Sequence, residues 1–203
     1  MSDTNNIFHV AVDDGYAQTK VCGIHPETGL ITTYVMRSSI RPGNQGLGDF
    51  DGGGKGLYST EEGETFTVSK DVESENTQCD GFHVSSLNRV LVSHALVEAG
   101  YSGQDVNLIT GLPVADYFDG SERNVDFINR KRDNLLKKKV RSLGSTPTAN
   151  ISNVRVGCQA VAAWFDYVLN DDLEERNEVD GGVAIVDIGG RTTDIAVVQG
   201  GTS

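Results

Sequence analysis

Two short stretches place an aspartate at a strand end and a glycine two residues later: Val12-Asp13-Asp14-Gly15-Tyr16-Ala17-Gln18-Thr19-Lys20-Val21 and Val186-Asp187-Ile188-Gly189-Gly190-Arg191-Thr192-Thr193-Asp194-Ile195. Each runs apolar, Asp, any residue, Gly, four residues, a charge, then a β-branched residue. A glycine in a tight strand-turn-strand lets backbone N–H groups approach phosphate oxygens with no side chain in the way. The aspartate cannot serve phosphate directly, because like charges repel. It makes sense as a group that orients water on a bridging Mg²⁺. Two such hairpins, separated by most of the chain, can hold a nucleotide tail and its metal from opposite sides. One Asp-x-Gly hairpin alone would be weak evidence, since many tight turns favour the same residues.

The elements that must position these turns can be read from periodicity. Residues 7–12, 18–24 and 30–36 alternate as a three-stranded meander with turns at 13–16 and 25–29. The segment 41–63 is glycine-rich and poor in apolar residues, which predicts a surface loop, and a weak hairpin follows around 65–68. Ser85 or Ser86 can cap a helix carrying Leu87, Val90, Leu91, Ala95 and Val97 and ending at Gly100. A buried strand at 106–110 stops at Gly111-Leu112-Pro113. Residues 122–141 read as a basic helix, either a solvated face or a polymer contact. A strand at 153–156 then enters a helix from about 158 to 169, and the acidic run 171–180 reads as an exposed loop. Strands at 183–188 and 194–198 form the second hairpin.

Composition narrows the partners. Against 29 Asp and Glu stand 17 Lys and Arg, a net charge of −12 over 203 residues, which repels polyanions and argues against direct contact with nucleic acid or an anionic membrane. Cys22, Cys79 and Cys158 are far apart and odd in number, which suggests neither disulfides nor zinc. Val10 to Val12 is too short for a signal-peptide core or a span, so the cytoplasm is the expected location.

The phrase from Val186 to Asp194 resembles the second phosphate motif of the actin, Hsp70 and sugar-kinase superfamily, and more narrowly that of the ParM/StbA plasmid-segregation proteins. Val92-Ser93-His94-Ala95-Leu96, Thr110-Gly111-Leu112-Pro113-Val114, Tyr117-Phe118-Asp119 and Ile128-Asn129-Arg130-Lys131-Arg132 are similar to that family in order and spacing. The resemblance implies an actin-like α/β ATPase domain, a ribonuclease-H-like mixed sheet with flanking helices. Strands 7–12, 18–24, 30–36, 106–110 and 183–188 are expected in that sheet, with a small inserted subdomain around 41–85. The first domain would cover 1–182, and 183–203 would begin a second.

For the site, the resemblance implies ATP and Mg²⁺. Asp13 and Asp187 hold the metal through water. Asp14, Gly15, Tyr16 and Ala17 with Gly189, Gly190, Arg191 and Thr192 bind phosphate, and Lys20 matches the family's phosphate-binding lysine. Gln159, where a strand passes into a helix, matches the residue that orients the attacking water, unless it only caps its helix. Several ParM-like members carry Glu there. An amide positions water but is a poor base, so slow hydrolysis is expected.

The implied function is an ATP-dependent filament for plasmid segregation. Its partners would be further copies or a full-length homologue, and a DNA-binding adaptor. The family's glycine-rich adenosine motif has no counterpart in the sequence, and Gly52-Gly53-Gly54-Lys55-Gly56 does not replace it, since Asp49 and Gly56 stand where a P-loop needs Gly and Ser or Thr. The chain is therefore expected to be a fragment or truncated version that binds ATP weakly. Two rivals remain: a non-enzymatic homologue that caps filaments, and a small-molecule kinase, which Gln159 disfavours for want of a carboxylate base.

Overall fold

The computed structural model describes residues 6–46, 56–170, 172–176, 182–189 and 193–199. Strand β1 (Phe8–Asp14) turns back into β2 (Gln18–Ile24), which turns into β3 (Ile31–Arg37). Three short strands follow, β4 (Ile40–Pro42), β5 (Leu57–Thr60) and β6 (Thr65–Val68). A 3-10 turn over Phe82–Val84 leads into helix α1 (Ser86–Leu96), whose cap Ser85 accepts a hydrogen bond from the Asn88 amide at 3.2 Å. A wider turn, Val97–Tyr101, ends that helix at Gly100, with φ 94°. Strand β7 (Asp105–Leu112) and the single-turn helix α2 (Val114–Tyr117) come next. A two-residue hairpin, β8 (Phe118–Asp119) and β9 (Glu122–Arg123), precedes helix α3 (Val125–Leu136). The chain continues through β10 (Val140–Ser142), β11 (Asn150–Cys158), helix α4 (Gln159–Val168), and the hairpin β12 (Gly182–Ile188) and β13 (Thr193–Gln199).

The main sheet has the order β11-β7-β1-β2-β3. The first three strands run parallel and the meander antiparallel. The expected mixed sheet is thus present, but its fifth strand is β11. Strand β12, expected in this sheet, pairs among the described residues with β13 alone. The reason is the crossover: β11 lies parallel beside β7 in a ladder from Asn150 to Cys158, a longer strand than the apolar core 153–156 suggested.

A second antiparallel sheet, β10-β5-β6-β4, contains two strands where a loop was expected over 41–63, because β4 and β5 both pair with β6 and β5 turns Tyr58 and Thr60 inward. Its fourth strand comes from beyond α3. Residues 47–55, and 171 and 177–180 of the acidic run, lie outside the described residues.

Alternation in β1 sends Val10, Val12 and Asp14 to one face of the main sheet and His9, Ala11 and Asp13 toward the other. The valines pack with Val21, Leu108 and Val154 under Val92, Ala95 and Leu96 of α1 and Leu135 of α3. A second cluster, Ile40, Tyr58, Phe66, Val68, Phe82, Val90 and Leu91, joins α1 to the smaller sheet. Each fully buried Val or Leu stabilises the fold by about 1.5–3 kcal/mol.

The basic helix is shorter than expected and its cations are largely committed. Lys131 is buried on Asp14, Arg132 and Lys137 contact Asp133, and Lys138 contacts Glu62. Among the described residues no helix is long and apolar enough to cross a membrane, and Cys22, Cys79 and Cys158 are free thiols.

Candidate nucleotide cleft

Three parallel strands, β1, β7 and β11, end side by side, with Val12 opposite Thr110 and Gly111 opposite Gly157. Ligand sites in such sheets form beyond the carboxyl ends of the strands. A cleft of about 550 Å³ lies there, lined by Asp13, Gly15, Tyr16, Ala17, Lys20, Gln159, Asp187 and Gly189 together with Asp194. Behind Asp13, Gln159 and Asp187 it adjoins an apolar recess of about 470 Å³ that includes Ala11, Ile109, Ala163 and Ile185.

Asp13 sits at the centre of the polar contacts. Its Oδ2 accepts from Lys20 Nζ at 3.0 Å, the pair lying directly across the β1–β2 ladder, and its Oδ1 accepts from Gln159 Nε2 at 3.3 Å. Gln159 opens α4, but Cys158 occupies the cap position, so the Gln159 side chain is turned to Asp13. Gly111 makes that possible. A Cβ there would stand 2.6 Å from Gln159 Cγ.

The first turn is held from behind by its carbonyls. Ser38 Oγ donates to Gly15 O at 2.7 Å, Thr77 Oγ1 to Tyr16 O at 2.5 Å, and the Ser38 amide to Ala17 O at 2.9 Å. A trans peptide sets its N–H opposite its C=O, so the amides of Tyr16, Ala17 and Gln18 point away from these partners. This is the arrangement an anion-binding turn requires. Tyr16 also packs its ring on Phe82 and His83, and burial pushes its phenol up.

Asp14 is not in the cleft. Its neighbour Asp13 takes the cleft face of β1, and the strand period turns Asp14 into the interior, 1 % exposed. There Asn88 Nδ2 and Thr110 Oγ1 each donate to it at 2.5 Å, Lys131 Nζ contacts it, and His83 Nδ1 lies 3.7 Å away. Lys131 Nζ also donates to Asn88 Oδ1 at 2.9 Å. Burial alone would raise the Asp14 carboxyl, but the Lys131 ammonium and His83 hold it well below the usual carboxylate range. A phosphate-binding role for Asp14 is therefore replaced by an internal strut joining β1, α1, β7 and α3.

On the second hairpin, Asp187 and Asp194 are directly opposed in the β12–β13 ladder, and both line the cleft. Like charges so placed repel, and a cation at the cleft would relieve them. Gly190, Arg191 and Thr192 lie outside the described residues. Among the described residues no three His, Cys, Asp or Glu side chains cluster tightly enough to enclose a metal. The hard-oxygen donors Asp13 and Asp187 do suit a cation that keeps its own water shell, as Mg²⁺ does.

The family model for the N-terminal part of plasmid segregation protein ParM matches residues 8–170. The chain belongs to this family. Among solved structures, the actin-like protein Alp7A is similar at TM-score 0.70 and 16% identity, over 96% of this chain and 57% of its own. The archaeal actin homologue Ta0583 is similar at TM-score 0.67 and 23% identity, over 95% and 57%. A filament of AlfA bound to AMPPNP is similar at TM-score 0.54 and 15% identity, over 97% and 71%. These likenesses show an actin-like fold, and the chain spans 57% of the length of Alp7A and of Ta0583. No curated protein sequence matches it.

Within this ParM-family chain, sequence reasoning missed the residues that work from behind. Ser38, just after β3, and Thr77, in the irregular stretch between β6 and the 3-10 turn, anchor the turn from distant segments, and nothing local in the sequence marks either for that role. Gly111 carried a signal, a glycine closing a buried strand, but its reason is the approach of Gln159. Arg37 and His83, which also line the cleft, stand outside both repeats.

Proposed function

We propose that this chain supplies the phosphate-binding side of an ATP-dependent, actin-like filament-forming protein for plasmid segregation, in which ATP hydrolysis drives filament dynamics. The observation that carries this reading is the convergence of Asp13, Lys20, Gln159 and Asp187 on one cleft floored by the Gly15–Gln18 turn. The amides of that turn and the Lys20 ammonium receive the polyphosphate, and Gly189, Gly190, Arg191 and Thr192 are its phosphate-binding residues on the second side, as the family resemblance implies. Asp13 and Asp187 hold Mg²⁺ through its water shell, and the metal, when bound, neutralises charge on the phosphates. Gln159 orients the attacking water. Its amide is a poor base, so hydrolysis is slow and set by positioning.

AMPPNP on the AlfA filament supports a nucleotide as ligand. In this reading residues 1–182 form the first actin-like domain with its inserted subdomain, and 183–203 open the second. The protein works in the cytoplasm, its copies associate with one another or with a full-length homologue, and a DNA-binding adaptor makes the link to the plasmid. The charge of −12 disfavours direct nucleic-acid or membrane contact.

Sedimentation with MgATP, alone and mixed with a full-length homologue, tests the proposal. ATP-dependent pelleting or co-pelleting that Asp13→Asn abolishes supports it. A chain that only lowers the homologue's pelleted yield, with or without nucleotide, would instead be a capping protein. A chain indifferent to ATP and to the homologue refutes both.

A further inference from the structure

The cations of the cleft are unequally committed. Lys20 is tied to Asp13 at 3.0 Å, on a wall that also carries carboxylates Asp187 and Asp194. Arg37 lines the same cleft, yet among the described residues it makes no ion pair and no side-chain hydrogen bond. Its placement is set by the β2–β3 ladder. Arg37 is opposite Gln18 and Lys20 is opposite Val35, so the two cations are diagonal neighbours on one exposed sheet face. Diagonal neighbours in a ladder lie about 7–8 Å apart at their Cα atoms, within reach of a single extended anion. The backbone beneath Arg37 is anchored, because the Ser38 amide and hydroxyl hold Ala17 O and Gly15 O of the phosphate turn. A guanidinium so mounted offers a planar fork of donors suited to phosphate oxygens.

We propose that Arg37 is a second cationic contact for the nucleotide's polyphosphate, gripping it from β3 while Lys20 shares its charge with Asp13. This rests on reading the cleft as a nucleotide site. The division of labour follows from electrostatics. A lysine paired to a carboxylate presents little net charge to an incoming anion, whereas an unpaired arginine presents its full charge.

The test is isothermal titration of the chain with inorganic tripolyphosphate and with MgATP at low and moderate salt. The proteins are wild type, Arg37→Gln, Arg37→Lys and Lys20→Gln, with thermal melts confirming folding. Arg37→Gln is expected to weaken tripolyphosphate binding by about tenfold and to flatten its salt dependence, with Arg37→Lys recovering part of the loss. Arg37 lies on the solvent side of an edge strand, so its replacement leaves the melt unchanged. If Lys20→Gln weakens binding and Arg37→Gln does not, the cleft reading survives and the role of Arg37 is overturned. If wild type binds neither ligand, both fall.

Discussion

Replacing Lys131 by Met should leave Asp14 as a buried carboxylate with no cation in contact. Lys131 is fully buried and reaches both Asp14 and Asn88. After the change Asn88 Nδ2 and Thr110 Oγ1 still donate to Asp14, and His83 Nδ1 is 3.7 Å away. Removing one partner of a buried pair costs about 3–5 kcal/mol, because the survivor keeps its desolvation penalty. Small domains hold only about 5–15 kcal/mol in total.

The sign of the pH dependence separates this mechanism from simple loss of packing. In the wild type the folded Asp14 carboxyl is lowered, so its contribution is present above the unfolded value of about 3.9 and is lost as pH falls through the folded value. In Lys131→Met the largest lowering influence is gone and burial, opposed only by His83 and the Asn88 and Thr110 donors, raises the carboxyl. Its contribution is then present below about 3.9 and lost as pH rises through the raised value. The stability gap between the two proteins should therefore widen from pH 4.5 to pH 7.5. Urea denaturation followed by circular dichroism across that range measures it. Adding Asp14→Asn to Lys131→Met should recover about 2 kcal/mol or more, since the stranded charge is gone. A gap below about 1 kcal/mol, or one of constant size across the range, would refute the strut.

Gly111→Ala should drive Gln159 from Asp13, since the new Cβ falls 2.6 Å from Gln159 Cγ. ATP turnover is expected to drop by about 10²-fold with tripolyphosphate affinity preserved, and unchanged turnover would remove Gln159 from the reaction. Gly56→Ala combines a φ of 84° with a Cβ 2.3 Å from Val68 O, so the smaller sheet should lose at least about 1–2 kcal/mol, read as a fall in melting temperature. Ser85→Ala deletes the cap of α1 and should cost about 1 kcal/mol in urea denaturation, while Ser86→Ala, one residue inside the helix, should cost much less.

Local patterns carried much of this structure into the sequence. The meander, the capped helix and both hairpins are visible because alternation and turn residues are short-range signals. What escaped was set by distant partners. Strand β5 could not be separated from the glycine-rich loop before it, because Leu57 to Ser59 become a strand only by pairing with β6, with Tyr58 packed in the cluster that includes α1. The place of β11 in the sheet, and the exclusion of β12, depend on which edge of β7 is free. In the site, the hairpin repeat singled out Asp13 and Asp187 and the family resemblance added Lys20 and Gln159; all four line one cleft, but neither signal could say that Asp14 serves the interior. Lys131 read as one more charge of a basic helix, yet its partner is 117 positions away.

The pair Asp13-Asp14 shows how core and site are specified together. A slip of β1 by one residue would send Asp14 to the cleft and Asp13 toward Lys131, which looks chemically neutral for two aspartates. It is not neutral for the strand. The same slip would carry Val10 and Val12 out of the core and put His9 and Ala11 in their places, losing about 1.5–3 kcal/mol for each valine. Strand β1 is also paired on both edges, parallel to β7 and antiparallel to β2, so a slip breaks two ladders at once. The valines thus decide which carboxylate faces the cleft. Asp13 reaches Lys20 and Gln159 because the residues before it are held in register by the core, and Asp14 anchors the end of that register to α1, β7 and α3. Weakening the strut should therefore be felt at Asp13, one residue away along the strand, before any part of the second hairpin is disturbed.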